Sequence, residues 1–200
     1  LSLIPPPLPL VVLLAGGQSR RMAGQDKALA DIGGERMIDR VLERLHPQAG
    51  AVMLSAPHDY ATGLVAIADG PLGPQGPVGA IRAIAAQLAT TIPAGGDDRF
   101  VTCPVDAPFV PLDLVARLTA SPVSAMAEAG GALQPVFALW RAHAVLAALP
   151  ADRCGERWSL QRLGEAVGVV RIAFDDPDAL MNVNTPNDLA EAQRRAAGQK

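Results

Sequence analysis

The order of apolar runs and amphipathic stretches predicts an α/β fold, a doubly wound, mostly parallel sheet with helices on both faces. Three observations predict it. Short continuous apolar runs, the pattern of strands buried on both sides, recur at 10–14, 51–56, 64–68 and 99–106. Helical patterns separate them at 35–45, 80–89 and 111–118. Gly16-Gly17, Ser55, Asp69 and Asp106 stand at the carboxyl ends of the four runs, where open α/β sheets bind ligands.

Each element has its own local reason. In 35–45, Met37, Ile38, Val41, Leu42 and Leu45 share one helical face, and His46-Pro47 ends the helix because the residue before proline avoids the α region. Segment 70–79 is a turn-rich Gly/Pro loop. The second half is less regular. Strands are predicted at 123–128 and 135–140 around Gly130-Gly131, helices at 141–149 and 158–167, and a late strand at 169–174. The last helix opens with Thr185 as N-cap, Pro186 in the first helical position and Asp188 in the first turn. No internal repeat or linker divides 1–200, which reads as one domain with 1–9 as an extended or disordered lead-in.

Half the residues are apolar but only 4% are aromatic, so the core must be built from Ala, Val, Leu and Ile. The net charge of −3 argues against a nucleic-acid partner, which would need a basic face. Arg20, Arg21 and Lys27 are therefore a local feature that suits a small anion. Cys103 and Cys154 lack zinc-site spacing and are too few for a disulfide framework. The apolar beginning has no basic residue and is broken by four prolines, unlike a signal peptide. No apolar run approaches the roughly 20 residues of a membrane helix, so no membrane association is expected and a cytoplasmic location is.

The chemistry concentrates in Leu14-Ala-Gly-Gly-Gln-Ser-Arg-Arg-Met-Ala-Gly-Gln-Asp-Lys27. An apolar strand runs into bare backbone N–H groups beside three cationic side chains, which makes a receptacle for a polyphosphate. Neither the P-loop nor the dinucleotide glycine pattern is present. The second focus is Cys103-Pro-Val-Asp-Ala-Pro-Phe-Val-Pro111, in which prolines stiffen the loop around Asp106. A stiff, exposed carboxylate near phosphates suits Mg²⁺, which takes one or two carboxylates plus phosphate oxygens and waters. A glycine turn, a solvated basic face or a capping aspartate would each explain one of these features alone. Their convergence on one rim is harder to explain that way. The three histidines form no motif, and no serine sits in a nucleophile elbow.

The Leu14–Lys27 motif resembles LAGGxSxRMGxDK, the leader of the MobA-like nucleotidyltransferases, and Cys103–Phe109 resembles that family's CDxPF-type metal loop. Gln134-Pro-Val-Phe-Ala-Leu-Trp140 and Asn182-Val-Asn-Thr-Pro-Asn-Asp-Leu189 resemble segments of the members that guanylylate the molybdenum cofactor. The resemblance runs from about Leu10 to about Ala192 and implies a Rossmann-like sheet. It also implies GMP transfer from GTP to molybdenum-molybdopterin, forming the guanine dinucleotide cofactor and pyrophosphate with Mg²⁺ as cofactor.

By position, Leu14, Ala15, Gly16 and Gly17 would hold the nucleotide through main-chain contacts, with Ser55 and Asp69 as further contacts. Lys27 would contact phosphate, Arg21 would offset phosphate charge, and Asp106 would bind Mg²⁺; these three are the implied catalytic residues. Asn182 and Asn184 would face the acceptor. Molybdoenzymes or their chaperones are the implied further partners. Ser55 stands where the family often has Asn, Ala23 where it has Gly, and Gln134 where His is common, and the 70–79 loop follows the GPLAG pattern only loosely. A cytidylyltransferase for the same cofactor, another nucleotidyltransferase, and a non-enzymatic molybdopterin carrier are the competing readings.

Overall fold

The computed structural model describes residues 8–16, 26–67, 74, 76–93, 96–176 and 178–198. Seven strands are described: β1 (Leu10–Leu14), β2 (Ala51–Ser55), β3 (Ala66–Ile67), β4 (Arg99–Pro104), β5 (Ala125–Ala129), β6 (Ala132–Arg141) and β7 (Val170–Phe174). Helices α1 (Met37–Leu45), α2 (Pro77–Thr91), α3 (Leu114–Thr119), α4 (Ala142–Ala148), α5 (Leu160–Val167) and α6 (Pro186–Ala197) connect or follow them. The strand order is β3-β2-β1-β4-β6-β5-β7. All adjacent pairs are parallel except those made by β6, which runs antiparallel to β4 and β5. The strand predicted over 64–68 is described as a two-residue edge pairing only.

Burial on both faces explains the unbroken apolar runs. Val11 and Leu13 of β1 pack with Ile38, Val41 and Leu45 of α1 and with Leu114 and Leu118 of α3. Val12 and Leu14 point the other way, toward Val78, Ile81 and Ile84 of α2 and Val145 of α4. Trp140 is fully buried on that second face, and its indole N–H donates to Thr102 Oγ1 at 3.0 Å, so the one polar atom of the ring is satisfied. A third cluster fastens α6 through Phe109, Val183, Ala192 and Ala196.

Two prolines sit inside strands without breaking the sheet. Val105 N–H donates to Leu14 O at 3.0 Å, so the neighbouring Pro104 faces β6, whose register with β4 ends at Thr102. No ladder bond is missing there. Pro135 lies in a bulge, where the β5–β6 register jumps from Ala127↔Gln134 to Met126↔Ala138. Such a bulge bends the strand and re-aims its side chains.

From β1 the chain winds out through β2 to β3, then crosses back to β4 on the other side of β1. This reversal creates a crevice at the carboxyl ends of β1 and β4. Among the described residues no helix is long and apolar enough to cross a membrane.

Candidate active site

The crevice is a cleft of about 270 Å³. Its floor comes from the end of β1 (Leu14, Ala15, Gly16) and the end of β4 (Pro104, Val105, Asp106). Asp26 and Lys27 close one side, Asn182 and Asn184 another, and Pro77 and Val136 complete the wall. Val136 belongs to the β6 bulge, so that irregularity shapes the cleft. Pro77 is the first residue of the fifteen-residue α2, which brings that helix's amino end to the rim. The helix dipole favours an anion there.

Lys27 is the hub. Its Nζ donates to Asp106 Oδ2 at 2.9 Å and to Asn184 Oδ1 at 2.7 Å, partners 79 and 157 residues away in sequence. The side chains of Lys27 and Asp106 are 18% and 17% exposed, so the ion pair is shielded from water while still touching the cleft. Asp106 is thus a partnered carboxylate, not the exposed one read from its loop. Each member is held by its own element. Lys27 starts a 3₁₀ turn, Lys27–Leu29, capped by Asp26, whose Oδ1 accepts from Ala28 N at 3.0 Å. Ala28 enters the core, whereas Leu29 stays half exposed.

Asn184 is fixed by the start of α6. Asp188 Oδ2 accepts from the Asn184 and Thr185 amides, each at 2.8 Å, while Thr185 Oγ1 accepts from Asp188 N at 3.2 Å. This capping box is the one the Thr-Pro-Asn-Asp sequence signals. The amide bond from Asn184 leads the interactions that hold the Asp188 carboxyl below its ordinary range. Val183 N donates to Asp106 O at 2.7 Å and ties the Asn182–Asn184 stretch to the β4 loop. Asn182 Oδ1 is buried without a hydrogen-bond partner among the described residues, an unmet acceptor in the cleft wall.

The ledge at Ala15–Gly16 is also held from behind, with Ala15 N donating to Ser55 O at 2.9 Å. Ser55 itself is buried and is not among the residues that line the cleft; its carbonyl serves the ledge. A Cβ added at Gly16 would meet, among the described residues, only Ser55 O at 3.9 Å, an ordinary contact. Among the described residues neither packing nor a positive φ requires glycine there. Gly79 is the contrast, because a Cβ on it would lie 1.8 Å from Pro74 O.

Gly17, Arg20, Arg21 and Asp69 lie outside the described residues. Cys103 is fully buried behind the site, and burial, with Asp106 adding, pushes its thiol well up, so it is no nucleophile. Two contributors escape the sequence reading. Asp26 caps the lysine turn, and Tyr60, from the loop after β2, donates its hydroxyl to Asp26 Oδ2 at 2.8 Å. An aspartate directly before a short helical turn is a cap signal that would have found Asp26; nothing local marks Tyr60.

The donor set fits a magnesium ion that is completed by a ligand. No group of three or more His, Cys, Asp or Glu gathers among the described residues, so no all-protein cage exists there. Asp106 Oδ2 already accepts a cation, the Lys27 ammonium, at the mouth of a phosphate-sized cleft. One carboxylate beside room for phosphate oxygens and waters is the arrangement that Mg²⁺ favours.

Residues 11–167 match the family model of the MobA-like NTP transferase domain. The chain is 39% identical to a molybdenum cofactor guanylyltransferase of Cereibacter sphaeroides, over 91% of this chain and 94% of that one. It is also 39% identical to one from Rhodobacter capsulatus, over 92% and 94%. Among solved structures it is similar to molybdopterin-guanine dinucleotide biosynthesis protein A of Archaeoglobus fulgidus, with a TM-score of 0.75 and 19% identity over 94% of this chain and 99% of that one. A cytidylyltransferase of Thermus thermophilus that acts on 2-C-methyl-D-erythritol 4-phosphate shares the fold, with a TM-score of 0.62 and 19% identity over 94% of this chain and 99% of that one. With the cleft at the β1/β4 switch point and the match extending over most of its length, the chain belongs to the family of MobA-like NTP transferases.

Proposed function

We propose that the protein transfers GMP from GTP to the terminal phosphate of molybdenum-molybdopterin, producing the guanine dinucleotide form of the cofactor and pyrophosphate. The observation that carries this reading is the convergence of the bare Ala15–Gly16 ledge, Lys27, Asp106 and Asn184 on one cleft. The guanylyltransferase relatives, alike over nine-tenths of the chain, support the choice of nucleotide and acceptor.

The ledge receives the base and sugar of GTP, because Gly16 leaves space for backbone contact that its own scaffold does not require. An oxygen of the acceptor phosphate attacks the α-phosphorus in line; the new P–O bond forms as the bond to the β-phosphate oxygen breaks. The attacking phosphate is already ionised, so no general base is needed. Asp106 would hold Mg²⁺, which when bound would supply charge neutralisation. Lys27 exchanges its present partners for a phosphate and offsets the charge that grows on the leaving pyrophosphate. With Lys27 turned to phosphate, Asp106 Oδ2 would be free to hold the metal. Asn184 and the unmet Asn182 oxygen are assigned to the acceptor side. Arg21, Gly17 and Asp69 keep the phosphate, ledge and nucleotide roles that the motif implies.

Pyrophosphate release measured with GTP, CTP and ATP, each with Mg²⁺ and molybdopterin, tests this reading. Release from GTP that depends on both molybdopterin and Mg²⁺ is expected. Preference for CTP would reassign the nucleotide, and cofactor binding without release would make the protein a carrier.

A further inference from the structure

Tyr60 lies far from the motifs, yet it reaches the base of the cleft. The residue is 7% exposed, and its hydroxyl donates to Asp26 Oδ2 at 2.8 Å while lying 3.5 Å from Ala15 O. Those two oxygens belong to the residues on either side of segment 16–25, the end of the nucleotide ledge and the cap of the lysine turn. One phenol therefore meets both residues that flank the segment.

The backbone is bent to put it there. Tyr60 and Ala61 have φ of 54° and 55°, a left-handed conformation in two successive non-glycine residues. That region is disfavoured for such residues, so each is strained. Local bonds hold the bend. Ala61 N donates to Asp59 Oδ1 at 3.1 Å, and Arg36 donates to Tyr60 O at 2.9 Å. The His58 ring lies 4.1 Å from the Tyr60 ring. Strain kept by surrounding bonds is found where a side chain must be aimed.

We infer that Tyr60 is a positioning residue, a clasp that fixes Asp26 against the Ala15 stem and through Asp26 sets the turn that presents Lys27 to the nucleotide. This rests on the proposed nucleotide role of the cleft. Burial, with the Asp26 carboxylate adding, pushes the phenol up to about 12, so it remains a proton donor throughout the working range of pH. The Asp26 carboxylate has two duties, accepting from Ala28 N with one oxygen and from Tyr60 with the other. Without the hydroxyl its second oxygen loses the bond that sets the carboxylate plane, and the lysine turn loosens.

Tyr60→Phe removes the hydroxyl and keeps the ring. Its test pairs hydrogen exchange of amides 26–30 in the ligand-free protein with GTP affinity and steady-state kinetics. We expect faster exchange at Ala28, a Kd and KM for GTP raised roughly tenfold, the size of one lost bond to a charged group, and kcat within about twofold. Asp26→Ala breaks the same bond from the other side, and adding Tyr60→Phe to it should deepen the affinity loss by less than about twofold. Unchanged exchange in Tyr60→Phe overturns the clasp. Faster exchange with unaltered GTP affinity, or losses that add in full, overturns its positioning role. Wild-type protein that binds no GTP overturns the functional reading instead, and the exchange result still decides the clasp.

Discussion

Two clusters at opposite ends of β4 contain similar groups and do different work. At the amino end, Asp98 accepts from Arg141 Nη1 at 3.2 Å and from the His143 amide at 3.0 Å, and it meets the His143 ring. At the carboxyl end, Asp106 and Asn184 share Lys27. His143 is 73% exposed, and its cluster joins Asp98 to the end of the adjacent strand β6 and the start of α4 that follows it. The Lys27 cluster is shielded, concave and assembled from three distant segments. The Asp98 bonds fasten a strand start to a helix start. The Lys27 bonds hold a cation and an anion beside a cleft, where the proposed reaction exchanges both for ligand. Placement at the switch point, more than the residue types, separates a structural cluster from a chemical one.

The largest expected effect comes from removing the carboxylate of the cleft. Asp106→Asn should lower guanylyl transfer by about a hundredfold or more while circular dichroism stays native, since charge stabilisation of the displacement is the main contribution the protein makes. Retained turnover would put Asp106 in the same class as Asp98. Lys27→Met should lose transfer similarly, yet ligand-free variant should bind Mn²⁺ more tightly than wild type, because Asp106 Oδ2 is no longer occupied by an ammonium. Weaker Mn²⁺ binding, read by titration of the free-ion signal, would contradict that exchange.

Gly16→Ala sharpens the contrast between ledge and scaffold. The scaffold accepts the methyl group, so the melting temperature should hold while the KM for GTP rises about tenfold or more. A large loss of stability would make Gly16 a packing glycine like Gly79. At the other end of β4, Asp98→Asn should cost about 1–3 kcal/mol of stability by chemical denaturation and leave kcat/KM unchanged.

Acid should affect the two ends alike, through different aspartates. Burial raises the Asp98 carboxyl, but its bonds from His143 and Arg141 outweigh that and hold it below its ordinary value. Asp188 is held low first by the Asn184 amide. For a carboxyl lowered in the folded state, the stabilisation is complete above its unfolded value, about 4, and is lost as pH falls through the folded one. Asp188→Asn should therefore lower the melting temperature most near pH 7, where that stabilisation is complete, and flatten its fall below about pH 4, so that variant and wild type converge in acid.

Much of this was legible in the chain. The strand ends at Gly16 and Asp106, the Thr185 cap and the two-faced strands follow from periodicity and turn chemistry, which are local. The reversal of β6 is not local, because an apolar run carries no mark of direction, and the bulge that brings Val136 to the cleft shows only as an unexplained Pro135. Ser55 sits at the predicted strand end, but alternation alone does not say that its side chain turns away from the cleft while its carbonyl serves the ledge. The same holds for Leu29, which follows the buried Ala28 yet faces outward. Lys27 was visible as a cation; its partners, distant in sequence, were not.

The most direct measurement follows label from α-³²P-GTP into molybdopterin for wild type, Lys27→Met and Asp98→Asn side by side. The account predicts labelled guanine dinucleotide from wild type and Asp98→Asn at similar rates, and a rate at least about a hundredfold lower from Lys27→Met. Equal labelling by Lys27→Met and wild type would contradict the assignment of chemistry to the Lys27–Asp106–Asn184 cleft.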